Sequence, residues 1–135
     1  MTVRNRLQQH PLLSRWLPLL AWMGLIFFLS AQPDLPHPES GFLDLLLSSG
    51  GHVLLFGVLA ALWRRVPAGR PGAWPPALTL TLLYALSDEF HQAFVPGRHP
   101  DPWDLVCDGL GAGLGLALYG WGQRRQNRPE QELRT

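Results

Sequence analysis

Between Ser87 and Gly115 the chain reads SDEFHQAFVPGRHPDPWDLVCDGLGAGLG, which sets Asp88, Glu89, His91, Gln92, Arg98, Asp101, Asp104 and Asp108 among apolar runs. Those runs have the character of membrane spans. An ionisable side chain costs about 2.5–3.5 kcal/mol at the centre of a membrane helix. Several of them in one region must meet each other, water or a ligand, so this segment marks the working surface of the chain. Average composition hides the pattern: the charged fraction is only 16%, against about 25% in soluble domains.

Four segments are candidate spans, at 12–30, 49–63, 74–94 and 103–121, in one domain over 1–122 with a polar, fraying tail over 123–135. A span needs roughly 17–25 residues. The second is short of that, and acids interrupt the third and fourth. The first also has the features of a signal peptide: Arg4 and Arg6, an apolar core, then Leu29-Ser30-Ala31. The third opens on Trp74-Pro75-Pro76, where proline fits a first helical turn.

The arginines orient these spans. Arg4, Arg6 and Arg15 precede or open the first; Arg64, Arg65 and Arg70 follow the second; Arg124, Arg125, Arg128 and Arg134 follow the fourth. The stretch from Ala31 to Ser48 holds Asp34, Glu39 and Asp44 but no arginine, and the turn before the fourth span holds only Arg98. With four spans, every arginine except Arg98 falls on one side, which the positive-inside rule makes the cytoplasm. Trp74, Tyr119 and Trp121 sit at that interface as belt residues. The expected architecture is an all-α, four-transmembrane-helix bundle with both termini cytoplasmic, multi-pass in the cell membrane.

The rise of a helix brings the polar groups to one level. His52 lies about 18 Å above Arg64, Asp88 about 21 Å above Trp74, and Asp108 and Asp104 about 20 and 26 Å above Trp121. All fall in the outer third of a hydrocarbon core about 30 Å thick. Asp88, His91 and Gln92 share a helix face, as do Asp104, Asp108 and Gly111. Asp101 joins that second face if the helix starts early; otherwise Pro102 opens its first turn. Gly111 and Gly115 form a small-xxx-small surface for close helix approach, with Gly109 and Gly113 a neighbouring one. Gly50-Gly51 beside His52 would end a helix early or admit a ligand. Val95-Pro96-Gly97-Arg98 reads as a sharp outer turn hanging Arg98 over the acids.

At these residues the chain resembles the VanZ-like family of small bacterial membrane proteins. The resemblance rests on His52, the D-E-x-x-Q segment of Asp88, Glu89 and Gln92, the turn of Pro96, Gly97 and Arg98, and Asp104, Asp108 and Gly111 leading into a glycine-rich helix. It covers about Ser49 to Gly120 and departs from the common pattern at Ser49, Leu55 and Phe56. It implies a link to low-level tolerance of the glycopeptide teicoplanin, without supplying a molecular activity.

Two readings of the cluster stand side by side: paired or neutral carboxyls that lock helix packing, or a site for a ligand, cation or proton. In the second, Asp88, Glu89, Asp108 and His52 are the candidate catalytic groups. Gln92, Arg98 and Asp104 are the candidate binding groups, Arg98 because its planar fork suits an anionic head, with a simple rim pair to Asp101 or Asp104 as its alternative. The expected partner is a membrane lipid or lipid-linked cell-envelope precursor, held in an outward-facing pocket. The alternatives are a cation- or proton-coupled carrier, which four short spans would form only by homo-oligomerising, and a non-catalytic accessory protein. Whether the chain is an enzyme, and with what cofactor, is left open. Carboxylates suit hard cations, and His52 or His91 would add zinc, but no H-E-x-x-H spacing occurs, and no metal is assigned. His91 reads as structural, His99 as a solvated turn residue and Cys107 as a packing residue. The net charge of +1 and the lack of a basic stripe argue against nucleic acid.

Overall fold

The computed structural model describes the backbone of residues 11–32, 41–67, 70 and 72–132, and side chains within 13–32, 49–67, 70 and 72–126. Four helices and, among the described residues, no strands make up the fold: α1 (Pro11–Ser30), α2 (Gly41–Arg65), α3 (Trp74–Gln92) and α4 (Pro102–Glu132). The expectations for Arg4, Arg6, Asp34, Glu39 and Arg134 fall outside the described residues.

Helix boundaries follow local chemistry with two departures from the expected spans. α2 begins at Gly41 rather than Ser49 and runs through Gly50-Gly51 without a break. A helical glycine costs only about 1 kcal/mol relative to alanine, and no proline interrupts the segment. An added Cβ at either glycine would meet nothing within 4 Å, so neither marks a close approach. α4 continues past Trp121 to Glu132, so most of the polar tail is helical. α3 starts with prolines in its first turn and ends at Gln92, short of Phe94. Its last carbonyls are taken up by the turn amides of Ala93, Phe94 and Val95, because Pro96 disfavours helical geometry in the residue before it. The turn itself closes with Arg98 N–H donating to Val95 O at 3.1 Å, and Gly97 supplies the positive φ of 83° that its third position demands.

Side-chain contacts fix the helix directions. Trp22 Nε1 donates to Leu55 O at 2.9 Å, and Trp16 meets Trp63 edge-on, so α1 and α2 are antiparallel. Tyr84 Oη donates to Met23 O at 2.7 Å and His91 stacks on Phe27, so α3 runs parallel to α1. His52 meets Asp108 and Arg64 lies over Tyr119, so α2 and α4 are parallel. The order is therefore up-down-up-down, with the start of α1 and the end of α4 at one end. Arg64, Tyr119 and Trp16 gather there; the polar residues of the Ser87–Gly115 segment lie at the other end.

α2 packs most extensively on α4, and glycine permits it. A Cβ on Gly111 would overlap the Val53 carbonyl oxygen, and one on Gly115 the Gly57 carbonyl oxygen. Gly113 faces open space and Gly109 meets only a Leu82 methyl group at ordinary distance, so the contact uses the first of the two small-residue faces. The core is Leu19, Ile26, Phe56, Leu59 and Ala85, drawn from α1, α2 and α3. Polarity is inverted relative to a water-soluble fold: Asp88, Glu89, Gln92 and Asp108 are buried, while Leu17, Phe28, Leu54, Leu83, Phe90 and Leu118 are exposed. Among the described residues, the helix long and apolar enough to cross a membrane by composition alone is α1, over Leu13–Ser30. α3 is diluted by its last polar turns, and α4 by alternating leucine with glycine.

Candidate functional site

The site is assembled at one end of α2, α3 and α4. α4 starts with Asp101 as its cap: the carboxylate accepts from Trp103 N–H at 2.9 Å, and Pro102 takes the first helical position. This settles Asp101 as the cap rather than as an early member of the helical face. Asp104 falls in the first turn, where a negative charge suits the helix dipole. Asp108 lies one turn further on and is almost completely buried, at 1% exposure.

His52 bridges to both. Its Nδ1 lies 2.9 Å from Asp108 Oδ1, and its Nε2 lies 3.6 Å from Asp104 Oδ2. An ionised Asp108 accepts from Nδ1–H of the imidazole and a protonated one donates to Nδ1; in either case the other ring nitrogen faces Asp104. The ring lies nearly parallel to Phe56, with an interplanar angle of 3°, which holds its orientation. An imidazole fixed between a buried and a half-buried carboxyl can accept a proton on one side and release one on the other.

α3 supplies the opposite wall. Gln92 Nε2 donates to Asp88 Oδ2 at 3.2 Å, the i, i+4 pairing that the spacing predicts. Asp101 N–H donates to Glu89 Oε2 at 3.0 Å, which ties α3 to the cap of α4. Glu89 is within electrostatic reach of His52, Asp104 and Asp108, and Asp88 of His52 and His91. His91 stacks on Phe27 with centroids 4.4 Å apart, and its Nε2 is buried without a hydrogen-bond partner. Cys107 is buried, as a packing residue would be.

Of the two readings of Arg98, the rim ion pair is not formed: among the described residues Arg98 makes no ion pair with Asp101 or Asp104. Asp101 is occupied in capping and Asp104 faces His52. Among the described residues no three His, Cys, Asp or Glu side chains are grouped so that they could hold a metal ion together. The two nitrogens of His52 address carboxyls on opposite sides of the ring, which spreads the donors instead of converging them.

Ser30, at the end of α1, was not visible as a site residue in the sequence. It is buried at 4% exposure and adjoins the Asp88 carboxyl, yet its Oγ lacks a hydrogen bond of good geometry. A lone serine closing an apolar run carries no signal of that role.

An all-helical protein with a polar cluster enclosed at one end and an apolar exterior is the class these features define. The chain belongs to the VanZ/LLP1 family, which it matches over residues 15–123, a stretch that includes every residue of the cluster. No curated protein and no solved structure gives a match.

Proposed function

We propose that the chain is a four-span protein of the cell membrane with both termini cytoplasmic, and that its polar cluster opens to the outer leaflet to bind or modify a lipid or lipid-linked envelope component. The observation that carries this is the clamped imidazole: His52 hydrogen-bonded to the buried Asp108 and facing Asp104, at an end whose outer surface is apolar. Ionisable groups kept within a lipid-facing shell are costly and mark functional sites. The even number of helices, running alternately up and down, supports the same side for both termini. The exposed leucines and phenylalanines support a lipid environment.

In this reading Asp88, Glu89, Asp108 and His52 are the acid–base groups, and Gln92, Arg98 and Asp104 bind the head group. Arg98, unpaired with the local acids, keeps its fork for an anion. A contribution to teicoplanin tolerance would follow from altering or sequestering an envelope lipid. A proton-coupled carrier draws support from the Asp104–His52–Asp108 arrangement, but among the described residues towards the arginine end the core turns to Leu19 and Leu59, and the buried Thr81 spends its hydroxyl on the Ala77 carbonyl. A third reading, a non-catalytic accessory protein, needs the cluster only for helix packing.

The test is reconstitution of the purified chain in vesicles of envelope lipid. Retention or conversion of a lipid that depends on Asp108 and His52 is expected. Proton or cation flux without any lipid retention would favour the carrier, and neither activity would favour the accessory role.

A further inference from the structure

The end of the bundle opposite the polar cluster is rich in donors and poor in acceptors. Arg15, Arg64, Arg65, Arg124 and Arg125 lie there, whereas every carboxylate among the described side chains, Asp88, Glu89, Asp101, Asp104 and Asp108, lies at the cluster end. No arginine is ion-paired among the described residues. Two of the guanidinium groups rest on aromatic rings instead: Arg125 Cζ lies 3.9 Å from the ring centroid of Trp121, and Arg64 Cζ 5.9 Å from that of Tyr119.

Arg64 differs from the others because its side chain is half-buried and its Nη1 is enclosed without a hydrogen-bond partner. The neighbouring Trp63 Nε1 is also buried without an acceptor, so the shortage is not confined to one side chain. A buried donor left unpaired is costly, and more so when it carries charge. Tyr119 brings a second donor to the same helix crossing. Its Oη accepts from Gln123 Nε2 at 3.3 Å, so its own proton is unspent among the described residues. Arg64 is on α2 and Tyr119 on α4, and the contact of guanidinium with ring joins them.

An occupant here must accept hydrogen bonds and carry negative charge. A hydroxyl or a carbonyl meets the first need only; an oxyanion meets both. The exposed Leu118 and Trp121 flank Tyr119 on α4 and set the crossing at the lipid boundary, where the anion to hand is a lipid phosphate. The surrounding arginines are uncompensated, which favours a head group of net negative charge over a zwitterionic one. We propose that Arg64 and Tyr119 seat the phosphate of an anionic lipid of the cytoplasmic leaflet. This second site rests on the membrane reading above and not on the outward pocket.

The full chain, purified in detergent, is titrated with phosphatidylglycerol and phosphatidylcholine of matched acyl chains, and bound lipid is read by native mass spectrometry. Phosphatidylglycerol is expected to bind about tenfold or more tightly than phosphatidylcholine, since several arginines act on its net charge together. Arg64→Lys should weaken phosphatidylglycerol binding about tenfold, because a point charge does not replace the fork. Tyr119→Phe keeps the ring, removes the hydroxyl and should weaken binding about fivefold. Arg70→Lys, in the exposed loop, should leave it unchanged. Equal binding of the two lipids would overturn the anionic preference. Wild-type affinity in both Arg64→Lys and Tyr119→Phe would mean diffuse attraction or binding at the polar cluster, and would overturn the seat. Displacement of the lipid by inorganic phosphate, but not by chloride at equal ionic strength, would make this an ion site and overturn the lipid assignment. Each of these results leaves the membrane reading standing, which only a failure of the chain to insert into vesicles removes. The wild-type and Tyr119→Phe comparisons decide the proposal even if Arg64→Lys fails to fold.

Discussion

His52 Nδ1 lies 2.9 Å from Asp108 Oδ1, beside the crossing where Gly111 is packed against the Val53 carbonyl. The two facts are coupled. Asp108 and Gly111 are at i and i+3 on α4, and His52 and Val53 are neighbours on α2. The hydrogen bond therefore depends on how closely the backbones approach, and glycine sets that approach.

Gly111→Ala and Gly115→Ala should each destabilise the fold by at least about 1–3 kcal/mol, because the new methyl meets backbone, which cannot rotate away. Gly113→Ala should be neutral or stabilising by up to about 1 kcal/mol, since it gains helix propensity into open space. Thermal unfolding in detergent micelles compares the three. Equal behaviour of Gly111→Ala and Gly113→Ala would mean that α2 and α4 do not cross as described.

Each of His52→Gln and Asp108→Asn leaves a buried partner poorly satisfied and should cost about 1–3 kcal/mol. The double variant should cost less than the sum, with a coupling of about 0.5–3 kcal/mol. Strict additivity in a double-mutant cycle would show that the contact adds nothing to stability.

Asn at Asp88 or Asp108 keeps the shape of the side chain while removing its charge and acid–base capacity. Such variants should insert and fold yet lose lipid handling or teicoplanin tolerance. Arg98→Lys is the companion test. Because no local carboxylate is ion-paired with Arg98, a loss of activity on replacing its fork with a point charge would reflect recognition of an anion. Wild-type activity in all three variants would favour a helix-locking cluster.

The up-down-up-down order places the loop over 93–101 at the end opposite to the close of α2 at Arg65, the start of α3 at Trp74 and the end of α4. Reporter fusions in the 93–101 loop, between Arg65 and Trp74, and at the end of α4 should read external, cytoplasmic and cytoplasmic. A cytoplasmic reading for the 93–101 loop would remove the outward-facing pocket.

Much of this was legible in the chain itself. The spacing of Asp88 and Gln92 fixed their pairing on one helix, and Pro96-Gly97 fixed the turn, because such contacts span only a few residues of regular backbone. Counting helical rise from the ends also placed His52 and Asp108 at similar heights, about 18 and 20 Å, the level at which they meet. The glycine-rich face of α4 was legible as a contact, although two faces were equally plausible from spacing.

Tertiary structure decided the rest. Which glycine face is used depends on how α4 is rotated against α2, and rotation is set by packing over the whole interface. Arg98 forms no ion pair with Asp101 or Asp104 among the described residues; Asp101 is committed to capping α4 and Asp104 faces His52. Competition among partners of this kind cannot be read from spacing. Ser30 enters the cluster only because α1 packs beside α3, through Tyr84 on Met23 and His91 on Phe27. Periodicity and rise are properties of one helix, and the sequence carries them residue by residue. The choice among partners on different helices is a property of all four together, settled by which arrangement leaves the fewest clashes and unpaired groups.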